Sequence, residues 1–124
     1  MDKNIWLSKA HDDLSWTEAN IREAIYYGAC FTAHQAAEKA LKAYLFSCGR
    51  PLRRIHDLGA LLEECIQQDV SFESLRNMVL PLVDYYVQTR YPDAADFLEY
   101  TKETASQAQE NANKIVSFIS DRIK

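Results

Sequence analysis

The stretch AHQAAEKALKAYL, residues 33–45, leaves the chain little choice of fold. Ala33, Ala36, Ala37, Ala40, Leu41, Tyr44 and Leu45 recur at i, i+3, i+4, i+7, i+8, i+11 and i+12. That spacing lines apolar groups along one face of an α-helix. The small side chains on this face let a neighbouring helix approach closely. The punctuation agrees with the pattern. Three glycines and three prolines in 124 residues supply few turns, and a β-rich fold needs many. The chain must be built from a few long helices.

Gly49 supplies a C-terminal cap for this helix, and Pro51 forbids its resumption. Upstream, Leu7, Ala10, Leu14, Ile21 and Ile25 predict a first helix from about Asn4 to Tyr26, with Gly28 marking the break. Downstream, Asp57 is placed to N-cap a third helix reaching about Gln68. Ser71 is placed to cap a fourth helix running to about Thr89, kinked or divided at Pro81. After Pro92, with Asp93 as N-cap, a fifth helix carries Leu98, Thr101, Ala105, Ala108, Ala112, Ile115 and Ile119 in alternating steps of three and four. That is a heptad seam. The expected architecture is a single all-α domain over residues 1–124, a five-helix up-and-down bundle with a long C-terminal helix.

Composition narrows the function classes. A net charge of −4 argues against wholesale electrostatic binding of nucleic acid, so any phosphate contact must be local. The start, MDKNIWLSK, has no apolar signal region, and no apolar run approaches a membrane span of about 18 residues. Cys30, Cys48 and Cys65 are odd in number and lack CxxC spacing, which points to a reduced, cytoplasmic protein.

Several clusters could carry chemistry. Gln35, Glu38, Lys39 and Lys42 form a polar stripe opposite the alanine face. It reads as a solvated face with a Glu38–Lys42 pair, or as two lysines able to meet phosphate. Cys30 and His34 share a helix face, but no second pair completes a zinc site, so a core thiol beside an imidazole is expected and no metal. Arg50, Arg53, Arg54 and His56 gather positive charge in seven residues. Such a loop could contact a nucleic-acid backbone or an acidic partner, or simply cover apolar surface. No glycine-rich phosphate loop, GxSxG or HExxH is present, and no cofactor is expected.

AHQAAEKALKAYL at 33–45, HDLGALL at 56–62 and YYVQTRYPD at 85–93 together resemble the HEPN domain (higher eukaryotes and prokaryotes nucleotide-binding). The resemblance covers nearly the whole chain. It implies a bundle of about five helices, a homodimer, and a role in handling nucleotides or RNA. For small prokaryotic members it implies work beside a minimal nucleotidyltransferase in toxin–antitoxin pairs. Many members are metal-independent ribonucleases with an Arg-x(4–6)-His motif. Here Arg90 is present, but the three permitted histidine positions hold Ala95, Asp96 and Phe97. Arg50 and His56 satisfy the spacing formally, yet they lie between the second and third helices, away from the family's junction. We read that match as coincidence.

In TRYPD, residues 89–93, Pro92 stops a helix and Asp93 starts one. Arg90 and Tyr91 are not explained by those duties. Beside a helix N-terminus they make a pocket for phosphate and base. Three readings follow. The first is a nucleotide- or RNA-binding homodimer acting with a nucleotidyltransferase, through Arg90, Tyr91 and Asp93 with help from Lys39, Lys42, Arg50, Arg53, Arg54 and His56. The second is a ribonuclease toxin whose base is Asp93, Asp96 or His56. The third is a helical adaptor whose heptad seam pairs chains.

Overall fold

The computed structural model describes residues 4–51, 54–85 and 100–123. Their order is α1 (Ile5–Arg22), α2 (Tyr26–Ser47), α3 (Leu58–Gln68), a 3-10 segment (Val70–Leu75), α4 (Arg76–Val79), a second 3-10 segment (Leu80–Leu82) and α5 (Lys102–Arg122). Among the described residues there is no strand. The fold is all-α, as the periodicity requires.

Everything is arranged around α2. Twelve of its 22 residues are buried, more than one amphipathic face supplies, so the helix is enclosed from several directions. It packs against α1, α3 and α5. Ala29, Ala33, Ala36, Ala37 and Ala40 are fully buried and join one core with Ala10, Leu41, Leu58, Leu62 and Phe72. On α5 the expected seam is filled inside the same chain. Ala105, Ala112, Ile115 and Ile119 have no exposed surface and Ala108 almost none. That corrects the adaptor reading, which needed the seam open for a second chain.

The termini of α2 and α3 follow their sequence signals. Gly49 has φ +75°, and the bonds Gly49 N–H to Phe46 O (3.0 Å) and Arg50 N–H to Leu45 O (3.0 Å) close a Schellman motif. The Asp57 side chain accepts from Ala60 N–H at 3.1 Å and starts α3.

Three boundaries differ from expectation. The α1–α2 break falls at Glu23–Ile25, with Ala24 at φ +60°, and Gly28 lies inside α2. A Cβ at Gly28 would stand 3.1 Å from Ile25 Cγ2 and 3.2 Å from Asn20 Nδ2, so its role is close helix approach. Asp69, not Ser71, heads the next segment, accepting from Ser71 N–H at 2.9 Å and Ser71 O–H at 2.7 Å. Around Pro81, which lacks the N–H an α-turn needs, the chain is 3-10, so the fourth element is broken into short pieces. The C-terminal helix starts at Lys102. Its N-cap is Thr101, whose Oγ1 accepts from Thr104 N–H at 3.1 Å, and so Thr101 is a cap and not a seam residue. Asp93 and Leu98 lie outside the described residues.

Phe72 joins the layers. Its ring centroid lies 4.3 Å from that of Tyr44 on α2 and 5.1 Å, edge-on, from that of Phe118 on α5. Phe72→Ala is expected to lower the unfolding free energy by about 3–5 kcal/mol in urea denaturation. A loss below about 1 kcal/mol would contradict this packing.

Candidate functional site

The polar stripe of α2 is not a solvated face. Glu38 is 3% and Lys42 5% exposed, because α1 and the segment leading into α3 cover the flank that periodicity alone assigns to water. An ionised carboxylate is costly to bury unless its oxygens are occupied. Both oxygens of Glu38 are. Lys42 Nζ donates to Oε2 at 3.1 Å, and His56 Nδ1 lies 2.9 Å from Oε1. On its other side the Lys42 ammonium sits 5.4 Å from the centre of the Trp6 ring, a cation–π contact that compensates lost hydration. Asn4 Nδ2 donates to Ala43 O at 3.0 Å and holds the start of α1 against the same stretch of α2.

His34 lies one turn before Glu38 and is fully buried. Burial pushes its imidazole below the usual 6.5, opposed by its bond to Gln35 and by the Glu38 charge. The His34 Nδ1–Gln35 Oε1 distance is 2.8 Å. His34, Glu38 and Lys42 therefore form one buried polar row at successive i+4 positions, with His56 joined to it from the loop. Cys30 is buried beside this row, as expected. Burial raises its thiol to about 12, which keeps it protonated and chemically quiet. Among the described residues no three His, Cys, Asp or Glu side chains gather as metal ligands.

The other candidates divide. Lys39 turns toward α1, where its Nζ meets Asp13 Oδ2 at 2.7 Å. Arg50 is partly exposed, with Nη2 4.0 Å from Glu64 Oε1 of α3, a loose pairing. Arg54 is exposed. The structure thus unites Lys42 and His56 through Glu38 and sends Lys39 elsewhere. Arg53, Arg90, Tyr91 and Asp93 lie outside the described residues, as do Ala95, Asp96 and Phe97. The organising residue, Glu38, was visible in the sequence only as an i+4 neighbour of Lys42. Its contact with His56 spans 18 residues, a separation periodicity does not detect.

Comparison with known proteins identifies relatives of the whole fold. The HEPN domain family matches residues 4–123. A crystal structure of TT1696 from Thermus thermophilus superposes with a TM-score of 0.86 at 33% identity, covering 98% of each chain. The archaeal HEPN homologue ST0689 superposes with a TM-score of 0.79 at 27% identity over the full length of both. An HEPN domain protein of Thermotoga maritima, TM0613, gives 0.74 at 25% identity and 94% of each chain. In sequence, the Methanocaldococcus jannaschii protein named "Putative toxin MJ1304" is 25% identical over 97% of this chain and 87% of its own length.

Two outcomes test the buried row. Glu38→Ala leaves Lys42 buried without its counter-charge and is expected to cost about 3–5 kcal/mol of stability, whereas Glu38→Met with Lys42→Met restores most of it. Equal losses in single and double variants would refute the pairing. For His34 the folded chain favours the neutral ring, while the unfolded chain binds a proton near the ordinary 6.5. Its contribution is therefore full above that pH and is lost as pH falls below it. Thermal melts from pH 7.5 to 5 should show that fall in wild type and a shallower one in His34→Gln.

Proposed function

The chain belongs to the HEPN domain family, and from that premise we propose that it is a toxin-like, nucleotide- or RNA-binding protein that acts as a homodimer beside a minimal nucleotidyltransferase. The observation that carries the binding half is the seat made by Glu38. A buried carboxylate holds His56 and thereby fixes one end of the loop that carries Arg50, Arg53 and Arg54, a local cationic surface on a chain of net charge −4. Clustered cations are what phosphate recognition uses. Arg90, Tyr91 and Asp93 supply the second contact region, Lys42 supports the first, and Lys39 flanks it. Ala95, Asp96 and Phe97 in place of the motif histidine favour binding over cleavage. The toxin designation of the M. jannaschii relative supports the toxin-like role. Three free thiols support work in a reducing cytoplasm. Among the described residues no helix is long and apolar enough to cross a membrane.

A second reading, metal-independent RNA cleavage, gains from one contact. A carboxylate on Nδ1 orients a histidine as a general base, and Glu38 stands so to His56. Labelled RNA incubated in EDTA with wild type, Arg90→Ala and His56→Gln separates the two. The binding reading predicts retarded but intact RNA with wild type and retention weakened by Arg90→Ala. Cleavage that disappears in His56→Gln would replace it with the ribonuclease. Light scattering should give twice the 14.3 kDa chain mass, and a monomer would contradict the dimer. Co-purification with a nucleotidyltransferase encoded beside it tests the partner, and failure of the two to associate would remove it.

A further inference from the structure

Along α1 the fold leaves a line of apolar side chains outside its core. Of the seven large apolar residues exposed among those described, four belong to α1 and the turn that follows it, namely Ile5, Trp16, Ile25 and Tyr27. Trp16, near the middle of the helix, is 65% exposed. A folded chain seldom leaves so large a ring in water, and several such groups in line mark a contact surface.

Helical geometry shows how the line arises. At about 100° per residue, Ile5, Lys9, Asp12, Trp16, Ala19 and Glu23 fall within an arc of about 80°. Leu7, Ala10, Leu14, Thr17 and Ile21, which pack inward, occupy the opposite side. Neighbouring charges are matched within the chain, Arg22 with Glu18 and Lys39 with Asp13. Lys9 and Glu23 are exposed on the stripe and form no ion pair among the described residues.

The stripe reads alike from either end, with its charges exchanged. Trp16 stands seven residues from Lys9 and seven from Glu23, eleven from Ile5 and eleven from Tyr27. A partner that fits must offer an apolar centre, an acid opposite Lys9 and a base opposite Glu23. The α1 helix of a second copy, laid antiparallel across Trp16, offers all three. Its Glu23 meets Lys9 and its Lys9 meets Glu23. Its Tyr27 comes to Ile5, beside a shallow hollow lined by Ile5, Trp6, Lys9 and Lys39. Asp12 falls opposite Asn20 and so opposes no like charge.

We propose that a second copy of this chain docks on the outer face of α1, the two helices running antiparallel about a two-fold axis at Trp16. This rests on the homodimer reading and gives it a face, an orientation and a centre. A contact of this isologous kind closes at two chains. The α5 seam, filled within its own chain, is not available to it.

Sedimentation of the full chain over a dilution series tests the pairing. Trp16→Ala removes the central ring from both sides and is expected to weaken association at least about thirtyfold. Lys9→Glu alone, or Glu23→Lys alone, sets like charges against each other at both contacts and is expected to weaken it about tenfold. Mixed together, these two variants oppose unlike charges at both contacts, so they should pair with each other about as tightly as wild type pairs with itself. The three side chains are exposed, so circular dichroism should show unchanged helix content in every variant. If all variants sediment as the wild-type dimer does, the homodimer reading stands and this face falls. Single variants that weaken association without pairing when mixed overturn the antiparallel contact. A wild type that is monomeric at every concentration removes both.

Discussion

The structure depends on how closely other helices can approach α2. Its run of alanines removes side-chain bulk where α1 and α5 cross, so the helix is buried from several sides and not along a single stripe. A helix enclosed in that way cannot keep its polar residues in water. Glu38 and Lys42 go inside because their neighbours on the helix are packed, and the chain must then satisfy them internally. The Glu38–Lys42 contact, the Trp6 ring over the ammonium and the His56 ring on the second carboxylate oxygen are the answers to that demand.

Buried ion pairs contribute little net stability compared with apolar residues of similar volume, because desolvation offsets most of the Coulombic gain. What this one does contribute is position. His56 precedes the N-cap Asp57, so the contact with Glu38 ties the entry of α3 to the middle of α2 and limits where Arg54, two residues before His56, can go. Packing, polar satisfaction and the placement of cationic side chains are in this respect one problem solved once. The proposed phosphate-binding reading rests on that link.

Much of the fold was legible because local signals and tertiary environment agree. The alanine face, Gly49 with Pro51, and Asp57 act through backbone geometry or through spacing within one helix, and each does in the structure what its residue type implies. The misreadings share a cause. Periodicity says which residues share a face, not what covers it, so the stripe at Gln35–Lys42 looked solvated until α1 and the segment after α2 were in place. Ala24 at positive φ gives no warning in its side chain. Thr101 fits a heptad by spacing, yet its hydroxyl is better used on the Thr104 N–H. The candidate site was legible in its cations and not in its carboxylate, since Glu38 and His56 meet only through the fold.

The central claim is that the polar row inside α2 holds a ligand-facing surface and is more than an internal staple. Mapping amide and side-chain shifts of the labelled chain as AMP is added addresses it most directly. The account predicts saturable changes concentrated at Arg50, Arg54 and His56, extending inward to Glu38 and Lys42, with a second group around Arg90 and Tyr91. Changes confined to surfaces remote from both regions, or none at millimolar AMP, would contradict it.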